Sequence, residues 1–121
     1  MLNNLNANQY QNVYLACGYT DLRLGIDSLA SIVQDQFHLN PYQKRTLFLF
    51  CGRRTDRIKG LLWEGDGFLL LYKRLEDGRF QWPRNKSELE KINAQQFRWL
   101  MEGLAIIQRH RVNEVHPKSA F

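Results

Sequence analysis

The apolar residues of this chain recur with two periods, one typical of helices and one typical of strands. Two stripes with helical spacing comprise Ile26, Leu29, Ala30, Val33 and Phe37, and later Phe97, Leu100, Met101, Leu104 and Ile107. We expect Thr20-Asp21 to cap the first helix and Asn40-Pro41 to end it. Asn93 followed by Gln96 resembles a capping box, which predicts the start of the second helix.

Two short apolar runs predict strands on either side of the first helix. Residues 13–17 (VYLAC) end at a glycine, and Thr46–Cys51 (TLFLFC) is rich in aromatic and branched residues. The second run is apolar at every position except its first, which is typical of a central strand that is buried on both faces.

The region that follows predicts an antiparallel β-meander. Arg57–Trp63 and Phe68–Arg74 are strand candidates joined by a glycine turn at residues 64–67. A second acidic-glycine turn precedes a third short strand at residues 79–82, and residues 84–91 are interpreted as a charged linker.

This order of elements predicts the α+β class, with a mainly antiparallel sheet, a central β-meander and two flanking amphipathic helices. A length of 121 residues suits one domain. We expect residues 13–108 to form that domain, residues 1–12 to be a disordered arm rich in Asn and Gln, and residues 109–121 to be a frayed tail.

The positive charge is concentrated in one segment. Of 17 basic and 12 acidic residues, ten cations and five acids lie between Lys44 and Arg84, so this segment accounts for the whole net charge of +5. Such concentration favours a polyanionic partner, and the alternative is a solvated basic surface.

Strand alternation places Arg57 and Lys59 on one face, and the hairpin places them opposite residues 72–74. Facing cations repel each other, so this arrangement favours an anion such as phosphate. The predicted DNA-binding residues are Arg53, Arg54, Arg57, Lys59, Lys73, Arg74 and Arg79. The alternative is that Asp56, Glu76 and Asp77 neutralise these cations locally.

Aromatic residues offer a second possible contact with nucleic acid. Trp63, Phe80 and Trp82 have side chains that can stack on bases, although a core position is favoured for such large apolar groups.

No residue pattern points to catalysis, a metal or a cofactor. The acids considered for a metal site are Asp21, Asp27, Glu64 and Asp66, and they lack paired spacing; His38, His110 and His116 are dispersed. Cys17 and Cys51 lie in apolar stretches and are expected to be buried free thiols. With no signal peptide and no membrane span expected, a cytoplasmic protein is predicted.

Several motifs in a fixed order resemble one family. They are densest at residues 53–59 (RRTDRIK), 63–68 (WEGDGF) and 72–75 (YKRL), with further similarity at residues 20–30 and 47–50. Across about residues 13–105 the chain resembles the TnpB-type accessory proteins of the sixty-six family of bacterial insertion sequences, which are distinct from the RNA-guided nucleases of that name. The chain departs from the family pattern at Gly60, where a larger apolar residue is usual, and at Cys51-Gly52.

The resemblance implies a role in transposition beside a separate transposase, with no established catalytic activity. The leading hypothesis is therefore a non-enzymatic accessory protein that binds DNA through the basic meander. The alternative is an adaptor that docks or assembles the transposase without binding DNA, through an exposed apolar patch such as Phe97, Trp99 and Met101.

Overall fold

The sheet is built around one parallel pair of strands, which the hydrophobic pattern does not distinguish from an antiparallel pair. The computed structural model describes residues 9–108. Its strands are β1 (Asn12–Ala16), β2 (Thr46–Cys51), β3 (Arg57–Trp63), β4 (Phe68–Arg74) and β5 (Leu89–Ile92), in the order β4-β3-β2-β1-β5. β1 and β2 are parallel, and the other neighbouring pairs are antiparallel. The α+β class is confirmed, but the sheet is mixed.

Two helices cover the two faces of the sheet. Helix α1 (Ile26–Ser31) continues as a π-helical segment (Ile32–Gln36), and helix α2 is Ala94–Met101. Parallel neighbours need a crossover connection, and α1 lies in the connection between β1 and β2. Within residues 9–108, neither helix has the length and apolar character needed to cross a bilayer.

The core consists of two apolar layers separated by the sheet. Every residue of β2 is buried, as predicted for a central strand. Leu47 and Leu49 face the layer that contains α2, whereas Phe48 and Phe50 face the layer that contains α1. β2 therefore contributes large side chains to both layers.

The third strand of the predicted meander does not form. Residues 79–82 make an irregular segment on the α2 side of the sheet, where Phe80 and Trp82 are buried and Gln81 is exposed. The Nε1 of Trp82 donates to the carbonyl oxygen of Ala16 at 2.9 Å. The alternation that resembled a strand thus reflects two aromatic side chains inserted into the core, without ladder pairing.

The prediction of a charged linker at residues 84–91 is also wrong, because β5 (Leu89–Ile92) begins within it. Leu89–Ile92 pairs with β1 along one edge of the sheet. Edge strands commonly carry charges, and here Glu90 and Lys91 obscure the strand pattern.

The predicted terminal segments fall largely beyond what the structure describes. Residues 1–8 of the predicted arm and the predicted tail at 109–121 lie outside the described residues. Tyr10 packs edge-on against Phe97 with ring centroids 6.1 Å apart, and Asn12 begins β1.

The first helix does not use its predicted cap. Its N-cap is Gly25, which makes no side-chain cap hydrogen bond. Asp21 instead accepts hydrogen bonds from the backbone and guanidinium of Arg23. The helical segment ends at Gln36, before Asn40-Pro41, and His38 follows with φ of 58°.

The second helix begins as predicted but ends earlier. Asn93 and Gln96 form a reciprocal capping box. At the other end, Gly103 has φ of 83°, its N–H donates to the carbonyl of Leu100, and the N–H of Leu104 donates to that of Trp99. This Schellman arrangement stops the helix.

Gly60 has a packing role. A Cβ at this position would lie 3.2 Å from Cδ1 of Leu47 and 3.3 Å from Cδ2 of Leu49. These leucines therefore fill the space that a larger residue in place of Gly60 would take.

Asn93→Ala removes a side-chain acceptor from the first turn of α2, so we expect the free energy of unfolding to fall by about 1 kcal/mol. Urea denaturation followed by circular dichroism measures this change. Asn85→Ala, at an exposed loop position, is the control and should unfold like the parent. Equal stability of the two variants would contradict the capping role.

Candidate functional site

A groove of about 710 Å³ lies where the chain leaves the two parallel strands. The loops after β1 and β2 meet there with the start of β3 and the end of β4. Carboxyl ends of parallel strands meet at one edge of a sheet, which is a common place for ligands. We call it the arginine groove, after the residues that give it its chemistry: Arg23, Arg53, Arg54 and Arg57, with Tyr19 and Tyr72.

Three of the seven predicted DNA-binding residues, Arg53, Arg54 and Arg57, line this groove. Arg74 is directly opposite Arg57 in the ladder between β3 and β4, as the hairpin register predicted. Lys59 lies on the same face, but its Nζ donates to the carbonyl oxygen of Leu24 at 3.0 Å. Lys59 therefore holds the loop before α1 and is only partly available to a ligand.

The structure separates the remaining two cations from the groove. Lys73 is directly opposite Ile58 in the ladder, and the side chain of Ile58 belongs to the α2 layer. Lys73 is therefore on the α2 face of the sheet, whereas Arg57 and Arg74 are on the α1 face. Arg79 is exposed in the irregular segment at residues 79–82. Its carbonyl oxygen lies next to Gly103, 3.6 Å from the position that a Cβ on this glycine would take, so its backbone is at the end of α2. The seven predicted residues thus divide between two sides of the sheet.

Carboxylates neutralise part of this charge, as the alternative interpretation anticipated. Asp56 accepts from Nε of Arg57 at 3.0 Å and lies 3.4 Å from Nη2 of Arg54. Arg74 approaches Glu76 at 3.7 Å, whereas Asp77 makes no ion pair within residues 9–108. Arg53 has no carboxylate partner in that range, so the groove keeps uncompensated positive charge.

Two acids, Asp21 in the lining of the groove and Asp56 beside it, are held in their ionised form. Hydrogen bonds from Arg23 lower the pKa of Asp21 to about 2. The Arg57 guanidinium likewise lowers the pKa of Asp56. Both carboxylates are therefore charged at neutral pH, and any anion that enters the groove is repelled by them while it is attracted by the arginines.

Arg84, which lies in the predicted linker, joins the two loops that form the groove. Its guanidinium donates to the carbonyl oxygens of Gly18, after β1, and of Gly52, after β2, with a longer contact of 3.4 Å to that of Arg53. The same guanidinium lies 4.4 Å from the ring centroid of Tyr19. Nothing local in the sequence indicates this role, because both loops are more than thirty residues from Arg84.

Gly52 allows the two loops to come this close. A Cβ on Gly52 would lie 3.3 Å from Cγ of Leu22 and 3.5 Å from the carbonyl oxygen of Thr20. Gly52 therefore lies at a tight contact beneath the groove.

The aromatic residues that border the groove are not the predicted base-stacking candidates Trp63, Phe80 and Trp82. Phe80 and Trp82 are buried, which confirms their core assignment, and Trp63 is half-buried 4.9 Å from the ring of Phe68. Tyr19 and Tyr72 are 65% and 53% exposed and line the groove. Sequence reasoning missed both, although Tyr72 alternates with Arg74 on the face of β4 that opposes Arg57.

The cysteines match their prediction as buried free thiols. Burial raises the pKa of each thiol, Cys17 and Cys51, to about 11, so both stay protonated at neutral pH. Within residues 9–108, no group of three or more His, Cys, Asp or Glu side chains is placed to hold a metal ion.

Comparisons with known proteins cover almost the whole described chain. The family model described as IS66 Orf2 like protein matches residues 11–111. The uncharacterized protein y4hO of Sinorhizobium fredii is 38% identical over 100 residues, covering 83% of this chain and 86% of the relative. A second uncharacterized protein of that organism, y4jC, is 30% identical over 92 residues, covering 76% of this chain and 78% of the relative. No solved structure gives a significant match.

Arg84→Met keeps the length of the side chain but removes every guanidinium donor, so the carbonyl oxygens of Gly18 and Gly52 lose this partner. We expect the free energy of unfolding to fall by roughly 2–3 kcal/mol. Urea denaturation measures the loss, with Arg98→Met on the exposed side of α2 as the control. If both variants unfold alike, Arg84 does not hold the loops together.

The Asp21–Arg23 pair predicts a pH dependence of stability. The pKa of Asp21 falls from 3.8 to about 2 on folding, so the unfolded chain binds this proton more readily. The pair's small contribution is present above the unfolded pKa and is lost as pH falls through the folded pKa. The Tm difference between the parent and Asp21→Asn should therefore shrink between about pH 5 and pH 2. A constant difference would contradict the shift.

Proposed function

This chain belongs to the IS66 Orf2-like protein family, and from that premise we propose that it is a non-enzymatic accessory protein of insertion-sequence transposition that binds DNA through the arginine groove. The family implies the transposition-associated role. The observation that supports DNA binding is the convergence of Arg23, Arg53, Arg54 and Arg57, from two loops and a strand, on one groove.

Guanidinium groups suit phosphate for geometric reasons. Each presents a planar fork of donors that can bind two phosphate oxygens at once. The groove arginines also repel one another, and Asp21 and Asp56 offset only part of this repulsion. A bound phosphodiester would relieve the remainder.

Binding of this kind positions a protein on DNA without reading its sequence. Phosphate contacts carry no base information, and their strength falls steeply as salt rises because bound counterions are released. We assign the contact to Arg23, Arg53, Arg54 and Arg57, with Arg74 beside them. Lys73 and Arg79, on the other side of the sheet, lie outside the proposed contact.

The division of cations between two faces provides a charge-matched test. Arg53→Ala with Arg54→Ala should weaken DNA binding about tenfold and reduce the slope of log K against log salt by about 2, because two phosphate contacts are lost. Both side chains are exposed, so the fold should be unaffected. Fluorescence anisotropy across a salt series measures both effects.

The control is Lys73→Ala with Arg79→Ala, which removes the same charge from the other side of the sheet. It should leave the slope close to that of the parent. Equal weakening by the two double variants would show that net charge alone matters, and would overturn the assignment of the groove. Duplexes that carry the terminal repeats of the element, compared with scrambled ones, report any sequence preference.

A second candidate function is an adaptor for the transposase. The apolar patch predicted for this function is not exposed, since Phe97 is buried and Trp99 and Met101 are half-buried. Leu104 and Ile107, just beyond α2, are exposed apolar side chains and favour this second function. Co-purification with the transposase, without DNA binding in the salt series, would support the adaptor instead.

A further inference from the structure

Two exposed tyrosines, Tyr19 and Tyr72, border the arginine groove, and neither packs against another aromatic ring within residues 9–108. Tyr72 is 53% exposed on edge strand β4, and no other ring contacts it within residues 9–108. A third exposed tyrosine, Tyr42, differs because it covers the rings of Trp63 and Phe68, at centroid distances of 5.1 and 5.2 Å. Ring packing therefore explains the position of Tyr42 but not that of Tyr72, whose side chain instead interacts with the Arg57 guanidinium.

Both tyrosines of the groove are held in place by the fold. Tyr72 lies within the ladder between β3 and β4, directly opposite Lys59. The ring of Tyr19 lies beneath the guanidinium of Arg84, and the next residue, Thr20, donates its N–H to the carbonyl of Cys51 at 2.9 Å. The backbone of each tyrosine is fixed in this way, so only the side chains lose conformational entropy when a ligand stacks on them.

The shape and chemistry of the groove match separate nucleotides better than a base-paired helix. A volume of about 710 Å³ is within the range of pockets that enclose small molecules, roughly 300–1,000 Å³. A duplex offers phosphates to the arginines but keeps its base faces stacked inside. A single strand offers both phosphates and free base faces, and aromatic platforms beside cations are how sequence-tolerant single-strand binding is built.

We propose that the arginine groove binds single-stranded DNA, with bases stacked on Tyr72 and Tyr19 and the linking phosphates bound by Arg53, Arg54 and Arg23. This inference rests on the proposed DNA-binding function and specifies its substrate. The side chain of the neighbouring Arg57 is only 28% exposed and already pairs with Asp56, so it contributes positive charge to the groove more than it reaches outward.

The test compares binding of a fluorescein-labelled oligothymidylate of about 16 nucleotides with binding of a duplex of equal length. The parent protein should bind the single strand more tightly. Tyr72→Ala should weaken single-strand binding about tenfold, and by more than it weakens duplex binding, because one stacked base is lost. Tyr72→Phe keeps the ring and should bind like the parent, and Tyr42→Ala is the control for losing an exposed tyrosine elsewhere.

Tyr19→Ala should weaken single-strand binding in the same way. Because Tyr19 also contacts Arg84, the thermal unfolding of the Tyr19→Ala variant is measured as well. DNA binding by the variant and the parent is then compared below the Tm of both proteins.

The outcomes separate this inference from the function on which it rests. Tighter duplex binding, or parent-like binding by Tyr72→Ala, would overturn the single-strand assignment; if the Arg53/Arg54 double variant still binds weakly, the proposed function stands. Equal loss in Tyr72→Ala and Tyr72→Phe would assign the effect to the hydroxyl and overturn stacking. If thymidine monophosphate displaces the oligothymidylate at an equal concentration of nucleotides, the ligand is a free nucleotide and the single-strand assignment is overturned. No binding of either DNA would overturn both proposals.

Discussion

The parallel pairing of β1 with β2 is the constraint on which the rest of the structure depends. It requires a crossover, which α1 supplies, and it sends both strands out of the sheet at the same edge. The loops that follow them are therefore neighbours. Arg84 joins these loops through carbonyl oxygens, and the Nζ of Lys59 holds the first loop at the carbonyl of Leu24. An antiparallel pair would have sent the loops to opposite ends, and the groove would not exist.

The basic residues of this chain serve different purposes that net charge does not separate. Arg84 is half-buried and bound to backbone carbonyls, so it stabilises the fold. Lys59 does the same for one loop. Arg53 and Arg54 are exposed at the groove, whereas Lys73 and Arg79 lie on the other side of the sheet. The positive charge relevant to a ligand is consequently smaller and more localised than the sequence count implies.

Family membership and geometry support different parts of the functional conclusion. The match over residues 11–111 gives the association with transposition. The arginines and the exposed tyrosines motivate the proposals about DNA, since neither the family description nor the relatives name a ligand. Gly60 and Gly52 both lie at close packing, at the leucines of β2 and beneath the groove.

The sequence by itself determined the elements whose pattern is local. The central strand, the hairpin register that sets Arg57 opposite Arg74, and the capping box at Asn93 all follow from neighbouring residues, and all are present in the structure. The stop at Gly103 also had a local signal, which the longer apolar stripe concealed. β5 lacked such a signal, because an edge strand with alternating charges resembles a loop.

Only the tertiary structure decided the strand order, the parallel pair and the composition of the groove. Arg23, Arg53 and Tyr72 belong to segments that are distant in sequence, and they line one groove because the sheet places those segments at one edge. The division of the cations between two faces likewise depends on which apolar layer covers each face of β4, because both faces pack against the core. Local periodicity can group side chains along one strand, but the order of the strands decides which groups become neighbours.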